Sequence, residues 1–96
     1  MFPAPVNEFF LYKQIAATTN VQGTKSYLGG IFVSAASSSP TIGVFDDAAS
    51  GTGTKLIDTF TPSAGTFYPM PAQALNGLNI VISGTVSCTV FFTPVP

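Results

Sequence analysis

The sequence predicts an all-β domain: a small antiparallel β-sandwich, jelly-roll-like or Greek-key, of about seven short strands with extended termini. Three observations carry this. Apolar and polar residues alternate with period two near the C-terminus. Clusters of Gly, Pro, Ser and Asn interrupt the apolar runs at short intervals. No segment offers a helix long enough to cross between parallel strands. The chain divides into an extended arm over 1–7, one sandwich domain over 8–92 and a tail over 93–96.

Pro3 and Pro5 exclude a regular helix in the arm. Residues 8–17 (EFFLYKQIAA) have a mixed pattern that fits a strand or a short helix. Phe9, Phe10, Tyr12 and Ile15 favour the strand, and no helix cap precedes them. Residues 18–25 read as a polar loop. Residues 26–35 (SYLGGIFVSA) read as a strand whose Gly29-Gly30 pair marks a bulge, a bend or a close backbone approach. Ser37-Ser38-Ser39-Pro40 reads as a turn, 41–46 as a strand, 47–53 as a loop and 55–60 as a strand. After the turn residues 61–65, Pro69 and Pro71 confine 66–70 to an edge or to a non-strand role. Residues 72–75 suit a helical turn or loop, and Asn76-Gly77 a turn. The end reads as a β-hairpin: Leu78, Ile80 and Ile82 alternate before a tight turn at Ser83-Gly84-Thr85, and Val86, Cys88, Val90 and Phe92 alternate after it.

The composition narrows the function. Hydrophobic residues make up 46% of the 96-residue chain and charged residues 7%, whereas a typical domain is about a quarter charged. Lys13, Lys25 and Lys55 face Glu8, Asp46, Asp47 and Asp58, for a net charge of −1. So little charge does not keep copies apart, and the surface suits lasting residence in an assembly. Three scattered lysines without arginine cannot neutralise a phosphate backbone or grip an acidic membrane, so neither nucleic acid nor membrane is expected as a partner. The N-terminus shows no basic signal-peptide region, and no run of about 20 apolar residues exists. The chain is too short for a membrane barrel by itself. These features predict a protein that is made in a cytoplasm and stays there or is released by lysis.

A search for chemistry comes back empty. The chain has no His and one Cys, so no Cys/His zinc site and no Ser-His-Asp or Cys-His nucleophile can form within it. Cys88 lies in an alternating apolar run and reads as a buried small hydrophobe, with no base to activate it. Asp46-Asp47 lacks the spacing of a calcium loop and reads as an Asx-type turn. Glu8 and Asp58 are the remaining carboxylates that an acid–base pair would need, and nothing in their spacing joins them. Gly51-Thr52-Gly53-Thr54-Lys55 lacks the phosphate-loop frame and leads into a strand, so it reads as a hairpin loop. We expect no enzyme activity and no cofactor.

Aromatic residues carry the strongest signal. Adjacent strand residues point to opposite faces. Each of the pairs Phe9-Phe10, Phe67-Tyr68 and Phe91-Phe92 can therefore fill the core with one ring and offer the other to a neighbour. Phe2, Phe10, Phe67 and Phe91 are the candidate interface residues. Tyr12, Tyr27 and Tyr68 are candidates for stacking on sugars, which gives a carbohydrate-binding module as a reading from another class.

Over residues 29–92 the chain resembles small virion proteins of tailed bacteriophages. The likeness rests on a Gly-bounded strand, the strand end VFDDA, the string TFTPSAGTFY and the closing NGLNIVISGTVSCTVFF. Proteins of this kind serve as capsid decoration, or cement, proteins, and some belong to tails, baseplates or fibres. The resemblance implies an oligomer, often a trimer, seated on the major capsid protein lattice at the outer surface of the virion. The absence of internal repeats disfavours a fibre shaft. Arms at 1–7 and 93–96 would suit addition to a neighbour's sheet edge.

Overall fold

The computed structural model describes residues 10–48 and 53–95. The expected arm over 1–7, together with Phe2, Glu8 and Phe9, lies outside them. Within the described residues the chain is all-β, as predicted. Its strands are β1 (Leu11–Ile15), β2 (Thr19–Gln22), β3 (Ser26–Asp46), β4 (Thr54–Phe60), β5 (Thr66–Ala74) and β6 (Leu78–Pro94). They form one open antiparallel sheet of six strands, in place of the two sheets expected from about seven.

Two long strands organise this sheet. The C-terminal part of β6 pairs with β1, and its start pairs with β2. The first part of β3 pairs with β5, and its last part with β4. Between them, β3 and β6 pair with each other from Ser26↔Pro94 to Asp46↔Leu78. One half of the sheet therefore reads β1-β6-β3-β5 and the other β2-β6-β3-β4.

β3 cannot be straight. Its 21 residues would span about 66 Å at the rise of a strand, yet the longest dimension of the molecule is 48 Å. The connections locate the fold-over. Ala74 sits opposite Ser26, Leu78 sits opposite Asp46, and only residues 75–77 join them. That link reaches at most about 14 Å. The two ends of β3 are therefore neighbours, and the sheet doubles back on itself. Hydrogen bonds close the join: Asn76 N donates to Asp46 Oδ1 (2.6 Å), and Asp47 N to Gly77 O (3.2 Å). Asp46 thus accepts a bond from 30 residues away.

The sharp bend lies where turns were predicted. Between Ser37↔Thr85 and Thr41↔Ser83, residues 38–40 of β3 stand opposite Gly84 alone. Ser38 (φ 63°), Ser39 (φ 51°) and Gly84 (φ 79°) adopt left-handed conformations, and strand pairing resumes on both sides. The predicted turn at 37–40 and the predicted terminal hairpin are thus a shared corner of two continuous strands. Extra residues on one strand bend it sharply without ending it. Thr18 braces the corner from the β1–β2 link: its Oγ1 accepts from Ile82 N (3.0 Å) and donates to Ile82 O (3.3 Å).

Other expectations change by smaller amounts. Part of the predicted loop 18–25 is β2. Residues 72–74 continue β5 as strand, because Pro69 and Pro71 lie on an edge where no partner needs their missing N–H. The predicted tail over 93–96 begins inside β6: Thr93 and Pro94 pair with Tyr27 and Ser26, and Val95 N donates to Lys25 O (2.9 Å).

One apolar core runs through both halves, with Leu28, Ile31, Val33, Ile42 and Val44 from β3 and Leu78, Ile80, Val86, Cys88, Val90 and Phe92 from β6. The alternation predicted for residues 86–92 is present in the burial of every second side chain.

Candidate interaction surface

The half-sheet β1-β6-β3-β5 buries one face and turns the other outward. Across the outer face, register sets Tyr12, Phe91, Gly30 and Pro69 in one row. Gln14, Thr89, Phe32 and Phe67 form the next row, and Thr93, Tyr27 and Gln73 lie beyond the first on the other side. Residues two apart on a strand share a face, so these rows are one surface. Tyr12 is 69% exposed, Phe67 48%, Tyr27 45% and Phe32 37%. Soluble chains seldom leave aromatic side chains clustered in this way unless the patch has a use.

The Gly29-Gly30 pair shapes the patch. Gly29 is the extra residue of a bulge between Leu28 and Gly30, as the sequence suggested. A Cβ on Gly30 would lie 2.7 Å from Phe67 Cζ, and one on Gly29 2.7 Å from Phe10 Cε1. The absent side chains let the rings lie across the strand, and the rings cover glycine backbone that would otherwise be bare. Phe67 and Phe91 meet edge to face, with centroids 6.0 Å apart and planes at 72°. That is a favourable aromatic geometry.

Three of the four candidate interface residues thus gather around the glycine pair: Phe10, Phe67 and Phe91. Phe2 lies outside the described residues. The division of neighbouring rings is present in the two pairs that are described, whereas Phe9 of the third lies outside the described residues. Phe92 is in the core while Phe91 faces out. Phe67 is exposed while Tyr68 turns in to pack against Phe60, with centroids 5.0 Å apart. Ser63 N donates to Tyr68 Oη (2.8 Å), so the Tyr68 hydroxyl already serves the 61–65 connection. Of the three tyrosines considered for sugars, only Tyr12 and Tyr27 share the outer face. Phe32 was missed as a surface residue. Its parity along β3 relative to Tyr27 is shifted by the bulge, and an alternation count that ignores the bulge puts it on the wrong face.

Beside the aromatic rows, Gln14, Ala16, Ser34, Ser87 and Thr89 border an open hollow of about 320 Å³. Its side chains are uncharged. Ser34 Oγ donates to Ser87 O (3.1 Å).

Among the described residues no three His, Cys, Asp or Glu side chains come together as a metal site would require. Asp58 bonds Lys55 Nζ at 3.1 Å on the solvent side of β4. That bond, with a second from Thr59 N, holds its carboxyl below the usual value. Such an exposed pair contributes little to stability. Among the described residues no helix is long and apolar enough to cross a membrane.

Cys88 is 3% exposed, and burial pushes its thiol from 9.0 up to about 11. The folded value lies above the unfolded one. The stability gained by burying the neutral thiol is therefore fully present below pH 9 and is lost as pH rises towards 11. At pH 8 a colorimetric thiol reagent should leave the native protein unlabelled and label one thiol per chain in guanidinium. Rapid stoichiometric labelling of the native protein would contradict this burial.

The chain matches no protein-family model, no curated protein and no solved structure at a significant level.

Proposed function

We propose that this protein is a non-enzymatic structural subunit of a phage virion, a capsid decoration protein that self-associates and binds the lattice of the major capsid protein. The observation that carries this reading is the uncharged aromatic face of the β1-β6-β3-β5 half-sheet, on a chain with 7% charged residues. Aromatic rings on a rigid sheet provide contact area at little cost in conformational entropy, which suits binding to a flat, repeating surface. The virion setting rests on the sequence resemblance. A subunit that binds the assembled shell and not its dissociated components stabilises the shell by mass action. The same features support a tail, baseplate or fibre component, which differs only in where the subunit sits.

Co-sedimentation with empty capsids lacking this protein, followed by cryo-electron microscopy, tests the proposal. The expected result is saturable binding with density at regular lattice positions. Phe67→Asp should weaken binding roughly 100-fold, the scale of an interface hot spot, without unfolding a side chain that is half exposed. Density confined to the tail would favour the alternative location, and no binding would overturn the virion reading.

Carbohydrate binding has one observation in its favour: the uncharged hollow lies beside Tyr12 and Phe32 on the same face. Retention on a glycan array that is lost in Tyr12→Ala would support that second reading.

A further inference from the structure

We propose that β1 is an open docking edge and that its occupant is the β1 strand of a second copy of this chain, paired antiparallel about a two-fold axis at Tyr12. This deepens the assembly role proposed above and rests on it.

The four edge segments of the sheet are not equivalent. Natural sheets blunt their edges with prolines, bulges, charges or very short strands. β5 carries Pro69 and Pro71. β4 shifts register twice against β3 and bears the Lys55–Asp58 ion pair. β2 has four residues and a register shift between Asn20 and Gln22. β1 has no proline, bulge or ion pair; the single device on it is the exposed Lys13. Its five residues LYKQI pair with β6 in unbroken register from Leu11↔Phe92 to Ile15↔Cys88. Its other side has no strand partner among the described residues. Leu11 is 55% exposed and Tyr12 69%.

Charge and register favour a second copy as the partner. Centring the axis on Lys13 would set two ammonium groups directly opposite, an unfavourable cross-strand pair. Centring it on Tyr12 sets Leu11 against Lys13 of the partner, so each lysine stem lies along a leucine and its charge reaches water. The net charge of −1 leaves little repulsion between copies. Continuity points the same way. Tyr12 ends the row that contains Phe91, so pairing at Tyr12 joins the aromatic faces of both copies into one band across a continuous sheet. The contact is isologous and closes at two subunits. It replaces the trimer that the resemblance implies.

The test is a cysteine cross-link at the axis, made on the full chain without capsids. Tyr12→Cys should form a disulfide-linked dimer under mild oxidation, because its two copies lie directly opposite each other. Gln14→Cys should not, since its copies are offset by four residues, about 14 Å and beyond disulfide reach. The native Cys88 is buried. The unaltered chain should sediment at twice 9.9 kDa. A Tyr12→Cys chain that stays uncross-linked, equal cross-linking in both variants, or an unaltered chain that sediments as a monomer or trimer would overturn the edge pairing. Capsid binding can fail while the cross-link forms, so the two proposals are separable.

Discussion

Replacing Gly84 with valine is expected to lower the melting temperature by roughly 10–25 °C. Gly84 is the single residue of β6 that faces three residues of β3 at the corner. Its φ of 79° costs an L-residue about 1–2 kcal/mol, and more when it is β-branched. A Cβ would also lie 2.8 Å from both Pro40 Cα and Ser38 O, which are backbone atoms that cannot swing aside. Relieving that overlap adds about 1–3 kcal/mol. Gly65 provides the comparison. Its φ is 76°, yet nothing lies within 4 Å of its Cβ position. Gly65→Val should therefore show the conformational cost alone. Differential scanning calorimetry of the two variants separates the terms. Equal losses at both positions would mean that the corner is not the tight junction described.

Ile31→Ala is the second large effect, with an expected loss of about 2–5 kcal/mol against a total of about 5–15 for a domain of ordinary stability. Ile31 is fully buried, flanked by Val90 on one side and Tyr68 on the other. Its truncation leaves a cavity between strands that cannot collapse without moving both neighbours. Phe32 is the next residue and points the opposite way, exposed beside Phe67. Phe32→Ala removes more atoms but should cost less than about 1 kcal/mol. Urea titrations should show the midpoint falling strongly for Ile31→Ala with an unchanged slope and hardly at all for Phe32→Ala. If Phe32→Ala were the more destabilising, the inner and outer faces of this half-sheet would be reversed. Phe32→Ala should also weaken shell binding, since it removes a ring from the proposed contact surface.

The two comparisons separate what sequence pattern can and cannot convey. The alternation of Val86, Cys88, Val90 and Phe92 identified a strand with one buried face, because side-chain period is a local property. The adjacent aromatic residues indicated that rings would appear on both faces, and Phe91 on the outer face with Phe92 in the core fulfils that. The glycine pair signalled a bulge, which is where Phe10 and Phe67 lie. Pattern failed at Phe32, because one bulge residue inverts the parity of everything after it. It also failed at the two turn clusters. Ser37–Pro40 and Ser83–Thr85 have turn composition and turn-like dihedrals, but each finds its partner in the other. Local chemistry marks where a strand bends, and only the facing strand decides whether pairing ends there.

The sequence by itself determined the strand character, the buried identity of Cys88, the scarcity of charge and the surplus of aromatic residues, since all of these depend on residue type and short-range spacing. The tertiary structure decided the rest. It made one doubled-over sheet from segments that read as seven strands, placed Tyr12, Tyr27, Phe32, Phe67 and Phe91 on one outer face, and gave β1 a single strand partner, β6, among the described residues. Those outcomes depend on which strands become neighbours and in which register. That choice is set by burying a common core over contacts distant in the chain, and no local pattern encodes it.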